Sequence, residues 1–131
     1  MNVPRKKVVV ADCNEEVLIA LEKILEEAGF DTTTVSTARE VLTQVDSKMP
    51  DLVLVNEYLP DAECEDLLKA LRTRSARVPC IVMQPYSPKM ADISGRQALG
   101  ARHIVYKYAY QQIMEVVREC LACDNKALLV A

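Results

Sequence analysis

Four groups of residues in this sequence combine type and spacing in ways that carry chemistry. The first is a set of polar residues that each follow a short apolar run: Asp12, Cys13 and Asn14, then Asn56 and Glu57, then Gln84, then Lys107. Asp12 offers hard oxygens for a cation or for capping a helix, and Lys107 offers a charge for a carboxylate or a phosphate. Cys13 offers a thiol whose ordinary pKa of about 8.5 leaves it mostly protonated at neutral pH. Asn56 and Gln84 are amides, which hydrogen-bond but neither attack as nucleophiles nor add charge to a metal site. The second group, Cys120-Leu121-Ala122-Cys123, has the spacing of a redox pair or half a zinc site. With no second pair and with His103 as the sole histidine, ordinary helix cysteines are the competing reading. The third group, Glu57, Asp61, Glu63, Glu65 and Asp66, either attracts a cation loosely or is a solvated loop leading into a helix start. Fourth, Tyr106, Tyr108 and Tyr110 recur at alternate positions, as a partner-binding patch or as rings packed against the last helix.

The elements that must position these groups follow from hydrophobic pattern. Val8–Ala11, Leu52–Val55, Cys80–Met83 and Ile104–Tyr106 show no polar alternation, as strands buried on both faces do. Thr32–Ser36 is more polar and β-branched, which suits an edge strand. Between the strands, Val17, Leu21, Ile24, Leu25 and Ala28 form one helical stripe, and Ala38, Val41, Leu42 and Val45 form another. Gly29 stops the first helix, and Thr37 with Glu40 makes a capping box for the second. A third helix is predicted over Glu65–Arg72, a fourth within Lys89–Leu99 with a poor stripe, and a fifth over Tyr110–Leu121.

Five strand-then-helix units imply an α/β fold, a doubly wound parallel sheet with helices on both faces. The flavodoxin-like order 2-1-3-4-5 places the ligand crevice beyond the carboxyl ends of strands one and three. That edge gathers the first group of polar residues, and Asp12, Asn56 and Lys107 are predicted to converge there. Residues 1–6 read as an N-terminal extension, 7–122 as the domain, and 123–131 as a tail or the start of a linker.

Composition excludes several classes of function. The chain has 131 residues, with 16 Lys plus Arg against 19 Asp plus Glu and a net charge of -3, so it lacks the basic footprint of a nucleic-acid binder. Half the residues are hydrophobic, but there is no Trp and one Phe, so the core must be aliphatic. The early apolar run Val8–Ala11 is too short for a secretion signal or a membrane span, and five cysteines without such a signal read as free thiols. These features predict a cytoplasmic protein with no membrane association.

Several segments together resemble the receiver domain of two-component response regulators, over Lys7 to about Ala122. Val10-Ala11-Asp12-Cys13-Asn14-Glu15-Glu16-Val17-Leu18 is similar to the family's opening strand and acidic pair. Pro50-Asp51-Leu52-Val53-Leu54-Val55-Asn56-Glu57-Tyr58-Leu59-Pro60 is similar to its third strand, with Asn56 at the phosphoacceptor position. Val78-Pro79-Cys80-Ile81-Val82-Met83-Gln84 resembles the fourth strand, Leu99-Gly100-Ala101 the following turn, and Ile104-Val105-Tyr106-Lys107 the fifth strand with its lysine.

The resemblance implies a phosphoryl-transfer site of aspartate nucleophile, Mg²⁺ held by acidic residues, a Ser or Thr, and a Lys. Asp12 and Lys107 keep their residue types. Asn56 replaces the nucleophile, Cys13 replaces the second acidic residue with a soft ligand ill-suited to Mg²⁺, and Gln84 replaces the hydroxyl. Tyr108 stands where the family has a proline whose preceding bond is usually cis; cis before tyrosine costs roughly 3 kcal/mol, so a trans bond is expected. Ile104 stands where a switching aromatic is frequent, and Cys64 where a glycine is usual.

The expectation is a degenerate receiver with no cofactor and its Mg²⁺ site lost, acting on another protein such as a kinase or effector. Asp12 or Asn14 then caps the first helix, Lys107 pairs with Asp12, and Asn56 hydrogen-bonds inside the pocket. The competing expectations are a working receiver with an unusual acceptor and a thiol sensor using Cys13 and Cys64. Any homodimer is expected to use the face of the fourth helix, fifth strand and fifth helix, with Ile104, Tyr106, Tyr108, Tyr110 and Ile113.

Overall fold

Strands and helices alternate along the whole chain in the computed structural model, which describes residues 4–75, 77–87 and 89–130, with side chains described as far as residue 122. In order these are β1 (Lys7–Ala11), α1 (Glu15–Glu27), β2 (Asp31–Val35), α2 (Ala38–Lys48), β3 (Leu52–Asn56), α3 (Cys64–Arg74), β4 (Cys80–Gln84), α4 (Met90–Ala98), β5 (Ala101–Tyr106) and α5 (Tyr110–Val130). The five strands form one parallel sheet in the order β2-β1-β3-β4-β5. This is the predicted doubly wound α/β topology.

Burial explains why these runs are strands. All five residues of β3 and of β4 are buried, whereas β2 at the sheet edge alternates between exposed and partly buried positions until Val35. Alternate strand residues feed two cores. Val9, Ala11, Val53, Val55 and Val82 pack against α2 and α3, while Val8, Val10, Leu52, Leu54, Ile81 and Met83 pack against α1 and α5. An irregularity in the β4–β5 register pairs Cys80 with Ala101 but Ile81 with His103. The extra residue puts Ala101 and Ile104, three positions apart, in the same core.

Element ends differ modestly from the sequence reading. β2 begins at Asp31 and ends before Ser36, α3 runs one residue earlier and two later than predicted, and β5 begins at Ala101. α5 continues to Val130, past the predicted stop at Leu121. Gly29 does end α1: at φ +98°, its N–H reaches the Glu26 carbonyl (3.0 Å) while the Phe30 N–H reaches that of Leu25 (3.0 Å). Arg5, assigned to an extension, closes the same helix end by donating to the Gly29 and Glu26 carbonyls, each at 2.9 Å.

Candidate functional site

The parallel sheet brings the carboxyl ends of β1, β3, β4 and β5 to one edge, and there Asp12, Asn56, Gln84 and Lys107 form a buried polar pocket. Asp12 is 0% exposed and Lys107 5%. The Lys107 Nζ lies 3.0 Å from Asp12 Oδ2 as a charge contact, and it donates to Oδ1 at 3.3 Å. The backbone N–H of Asn14 also donates to Oδ1 (2.9 Å), so the carboxylate is held from two sides. Asn14 is the cap of α1, accepting the Glu16 N–H at 3.0 Å. The predicted alternatives for Asp12 and Asn14 therefore resolve into separate roles.

The two amides differ in how they are satisfied. Asn56 donates from Nδ2 to the Tyr58 carbonyl (2.8 Å), pinning the turn after β3, while its buried Oδ1 meets no protein donor. Gln84 is 0% exposed, and neither its Nε2 nor its Oε1 has a protein partner. Backbone bonds fix the loops around them: Glu57 N to Met83 O at 2.7 Å and Lys107 N to Gln84 O at 2.8 Å. The Lys107 Nζ also lies 5.5 Å from the centre of the Tyr108 ring, which meets Tyr106 edge-on at 5.4 Å. The Lys107–Tyr108 bond is trans, as expected.

The donor set does not suit the Mg²⁺ that the resemblance implies. The pocket's buried carboxylate, Asp12, is neutralised by an ammonium, Cys13 is a soft thiol, and Asn56 supplies a neutral oxygen. Among the described residues, no three His, Cys, Asp or Glu side chains are placed together to hold a metal ion.

Other candidate groups have different neighbours from those read in the sequence. Asp61 accepts from the N–H groups of Ala38 (2.8 Å) and Arg39 (3.0 Å), capping α2 from across the fold, and those bonds hold its carboxyl below its ordinary pKa. The Thr37 hydroxyl, foremost, holds Glu40 below its ordinary value, consistent with the capping box. Glu57 accepts from Arg96 (2.8 Å) and from the Tyr86 hydroxyl (2.8 Å), and Arg96 also lies 3.5 Å from Glu65. Sequence reasoning missed this network, since nothing marks residues 39 apart as partners.

Cys13 is exposed, but Cys64 is buried, and that burial pushes its thiol up to about 11. A protonated, enclosed Cys64 does not suit the paired thiol sensor. Cys120 is buried against the α5 side of the sheet, and the Cys123 side chain lies outside the described residues. Of the expected interface, Ile104 and Ile113 are interior residues filling opposite cores, a correction to their placement on a surface. Tyr106 and Tyr108 are exposed, and Tyr110 packs partly against the α5-side core.

A profile of the response regulator receiver domain matches residues 8–118. The alkaline phosphatase synthesis transcriptional regulatory protein PhoP of Bacillus subtilis is 28% identical over 96 residues, covering 73% of this chain and 40% of that protein. The DNA-binding transcriptional regulator NtrC of Salmonella typhimurium is 33% identical over 88 residues, covering 67% of this chain and 19% of that protein. The chain thus spans less than half the length of either relative. A CheY-like receiver domain protein from Methanospirillum hungatei has the same fold, with a TM-score of 0.84 at 24% identity over 95% of this chain and 99% of the other. A two-component response regulator from Clostridium difficile gives 0.81 at 21% identity over 90% and 97%. With its topology and family match in agreement, this chain belongs to the response regulator receiver domain family, whose members are signalling regulators and not enzymes.

Proposed function

We propose that this receiver domain signals through protein–protein contact without accepting a phosphoryl group. The observation that carries this reading is the pocket: a buried Asp12–Lys107 pair beside two neutral amides, Asn56 and Gln84. Phosphoryl transfer needs a nucleophile and concentrated positive charge for the transferring oxygens. Here Asn56, at the family's acceptor position, supplies no nucleophile, and the pocket's buried ammonium, Lys107, is already matched by Asp12. Gln84 fills space where the family carries a small hydroxyl residue.

In this reading the partner is a signalling kinase or an effector protein, recognised on the exposed surface around the pocket rim. Tyr106 and Tyr108 offer aromatic contact area there, with Tyr110 at the edge, and the same face is where a homodimer forms if one does. The net charge of -3 disfavours direct contact with nucleic acid. The free thiols Cys13, Cys64 and Cys80 suit the reducing cytoplasm, and no helix among the described residues is long and apolar enough to cross a membrane.

Calorimetric titration with Mg²⁺ through the millimolar range tests the pocket, and capture of a partner with and without a small phosphodonor tests the signalling mode. The reading expects no saturable heat and equal capture. Stoichiometric Mg²⁺ binding, together with capture that depends on the donor, would overturn it.

A further inference from the structure

A sheet in the order β2-β1-β3-β4-β5 has two open edges, and in this chain the two differ. At the β5 edge, Cys80 pairs with Ala101 but Ile81 pairs with His103, so Arg102 is an extra residue in the strand, and it is exposed. A bulge and a charge are two of the devices that keep an edge strand from pairing with another chain. β2 carries neither along its middle. Asp31–Val35 stays in register with β1 over its whole length and reads Asp-Thr-Thr-Thr-Val, without a lysine or proline. Its length is ordinary for a strand, so the edge is not blunted by shortness either.

The bonds to β1 determine which main-chain groups of β2 face outward. The Asp31 N–H donates to the Lys6 carbonyl (2.9 Å), and the Val35 carbonyl accepts the Asp12 N–H (3.1 Å). Successive residues of a strand bond to opposite sides, so Asp31, Thr33 and Val35 turn their main-chain groups to β1, while Thr32 and Thr34 turn theirs to the open edge. A second β2 brought up antiparallel, about a two-fold axis at Thr33, sets Thr32 opposite Thr34 of the other copy. Every outward N–H and carbonyl then finds a partner. Moving the axis to Thr32 or Thr34 pushes part of the pairing past the end of the strand. Thr33, exposed and uncharged, meets its own copy at the axis, and facing threonines are a favourable cross-strand pair. The ends also match in charge. Asp31 is exposed at one end and Arg39, in the first turn of α2, is exposed beyond the other, so antiparallel alignment brings opposite charges toward each other.

We propose that β2 is a self-association edge, at which a second copy of this chain adds antiparallel and joins the two five-stranded sheets into one. Such an interface uses the same patch on both copies and closes at two. It lies across the sheet from Tyr106 in β5, so it leaves the tyrosine face free for a partner protein and is additional to any pairing there. The contact rests on main-chain geometry and stands whether or not Asn56 accepts phosphate.

Sedimentation of the full chain from about 10 μM to about 1 mM, together with disulfide trapping, tests the edge. The unmodified protein should show a dimer whose population rises with concentration. Thr34→Pro removes an outward donor without touching a bond to β1, and by symmetry deletes two bonds from the interface. Thr33→Lys sets two ammonium groups against each other at the axis. Each variant should weaken dimerisation about tenfold or more, with the circular dichroism of the folded domain retained. For trapping, Cys13→Ser removes the exposed thiol. On that background Thr33→Cys faces its own copy in a non-hydrogen-bonded pair, with Cα atoms about 4.5 Å apart, and should link under mild oxidation. Asp31→Cys is equally exposed, but its two copies would lie roughly 13 Å apart along the strands, so it should not link. A protein that stays monomeric throughout, a dimer unchanged by both Thr33→Lys and Thr34→Pro, or linking of Asp31→Cys as fast as Thr33→Cys would overturn the proposal.

Discussion

Replacing Lys107 with methionine removes the ammonium and keeps most of the apolar stem, leaving Asp12 as a fully buried carboxylate with no opposite charge. Breaking a buried ion pair from one side costs about 3–5 kcal/mol. The Asn14 N–H still donates to Asp12 Oδ1 at 2.9 Å, and the methionine side chain adds apolar contact, so the lower end applies, about 3 kcal/mol. For a domain of this size that lowers Tm by roughly 10–15 °C. Adding Asp12→Asn removes the stranded charge, and the double variant should recover at least about 1 kcal/mol relative to Lys107→Met alone. Urea unfolding followed by circular dichroism at neutral pH measures both differences. A loss below about 1 kcal/mol for Lys107→Met, the range of solvent-exposed pairs, would refute the buried-pair account of the pocket.

Gly100 sits at φ +111°, and a Cβ there would lie 3.1 Å from Arg72 Nη2, whose bond to the Ala98 carbonyl closes the end of α4; Gly100→Ala should therefore cost about 1–2 kcal/mol in chemical denaturation, and a neutral result would contradict this geometry. Asp61→Ala should cost about 1 kcal/mol at neutral pH through the lost cap on α2. Because folding depresses the Asp61 pKa, its contribution is full above the ordinary value of about 3.9 and fades as pH falls through the lower folded value. Wild type and variant should converge in stability there, and a gap unchanged in strong acid would count against the cap. Thiol labelling at neutral pH should modify exposed Cys13 well before Cys64, held near 11 by burial, or buried Cys80; equal rates for Cys13 and Cys64 would reverse that assignment.

The parts of this molecule legible in the sequence are those set by periodicity. Val8–Ala11 and Leu52–Val55 read as buried strands because helices cover both faces of the sheet, and the polar Thr32–Thr34 read as an edge because β2 is one. The switch-point rule then sufficed to bring together Asp12 and Lys107, 95 residues apart. The fourth helix could be placed only within Lys89–Leu99 for a physical reason: it fully buries no residue, and Ile93 alone of its own side chains rests partly on the core. Arg5 on the end of α1, Asp61 on the start of α2 and Arg96 on Glu57 were invisible because each is one polar residue reaching across the fold to a partner that local pattern does not specify. Ile104 and Ile113 were misplaced on a surface because their neighbours, Tyr106, Tyr108 and Tyr110, are the outward or rim residues of the same segment.

Intact-mass spectrometry after incubation with a small phosphodonor, with and without Mg²⁺, tests the central claim most directly. The unmodified protein should gain no phosphate under either condition. Asn56→Asp combined with Cys13→Asp restores the carboxylates beside Asp12, and this double variant should gain phosphate only with Mg²⁺, slowly because Gln84 remains in the pocket. A phosphate-sized mass increase on the unmodified protein, with deamidation of Asn56 excluded, would contradict the account.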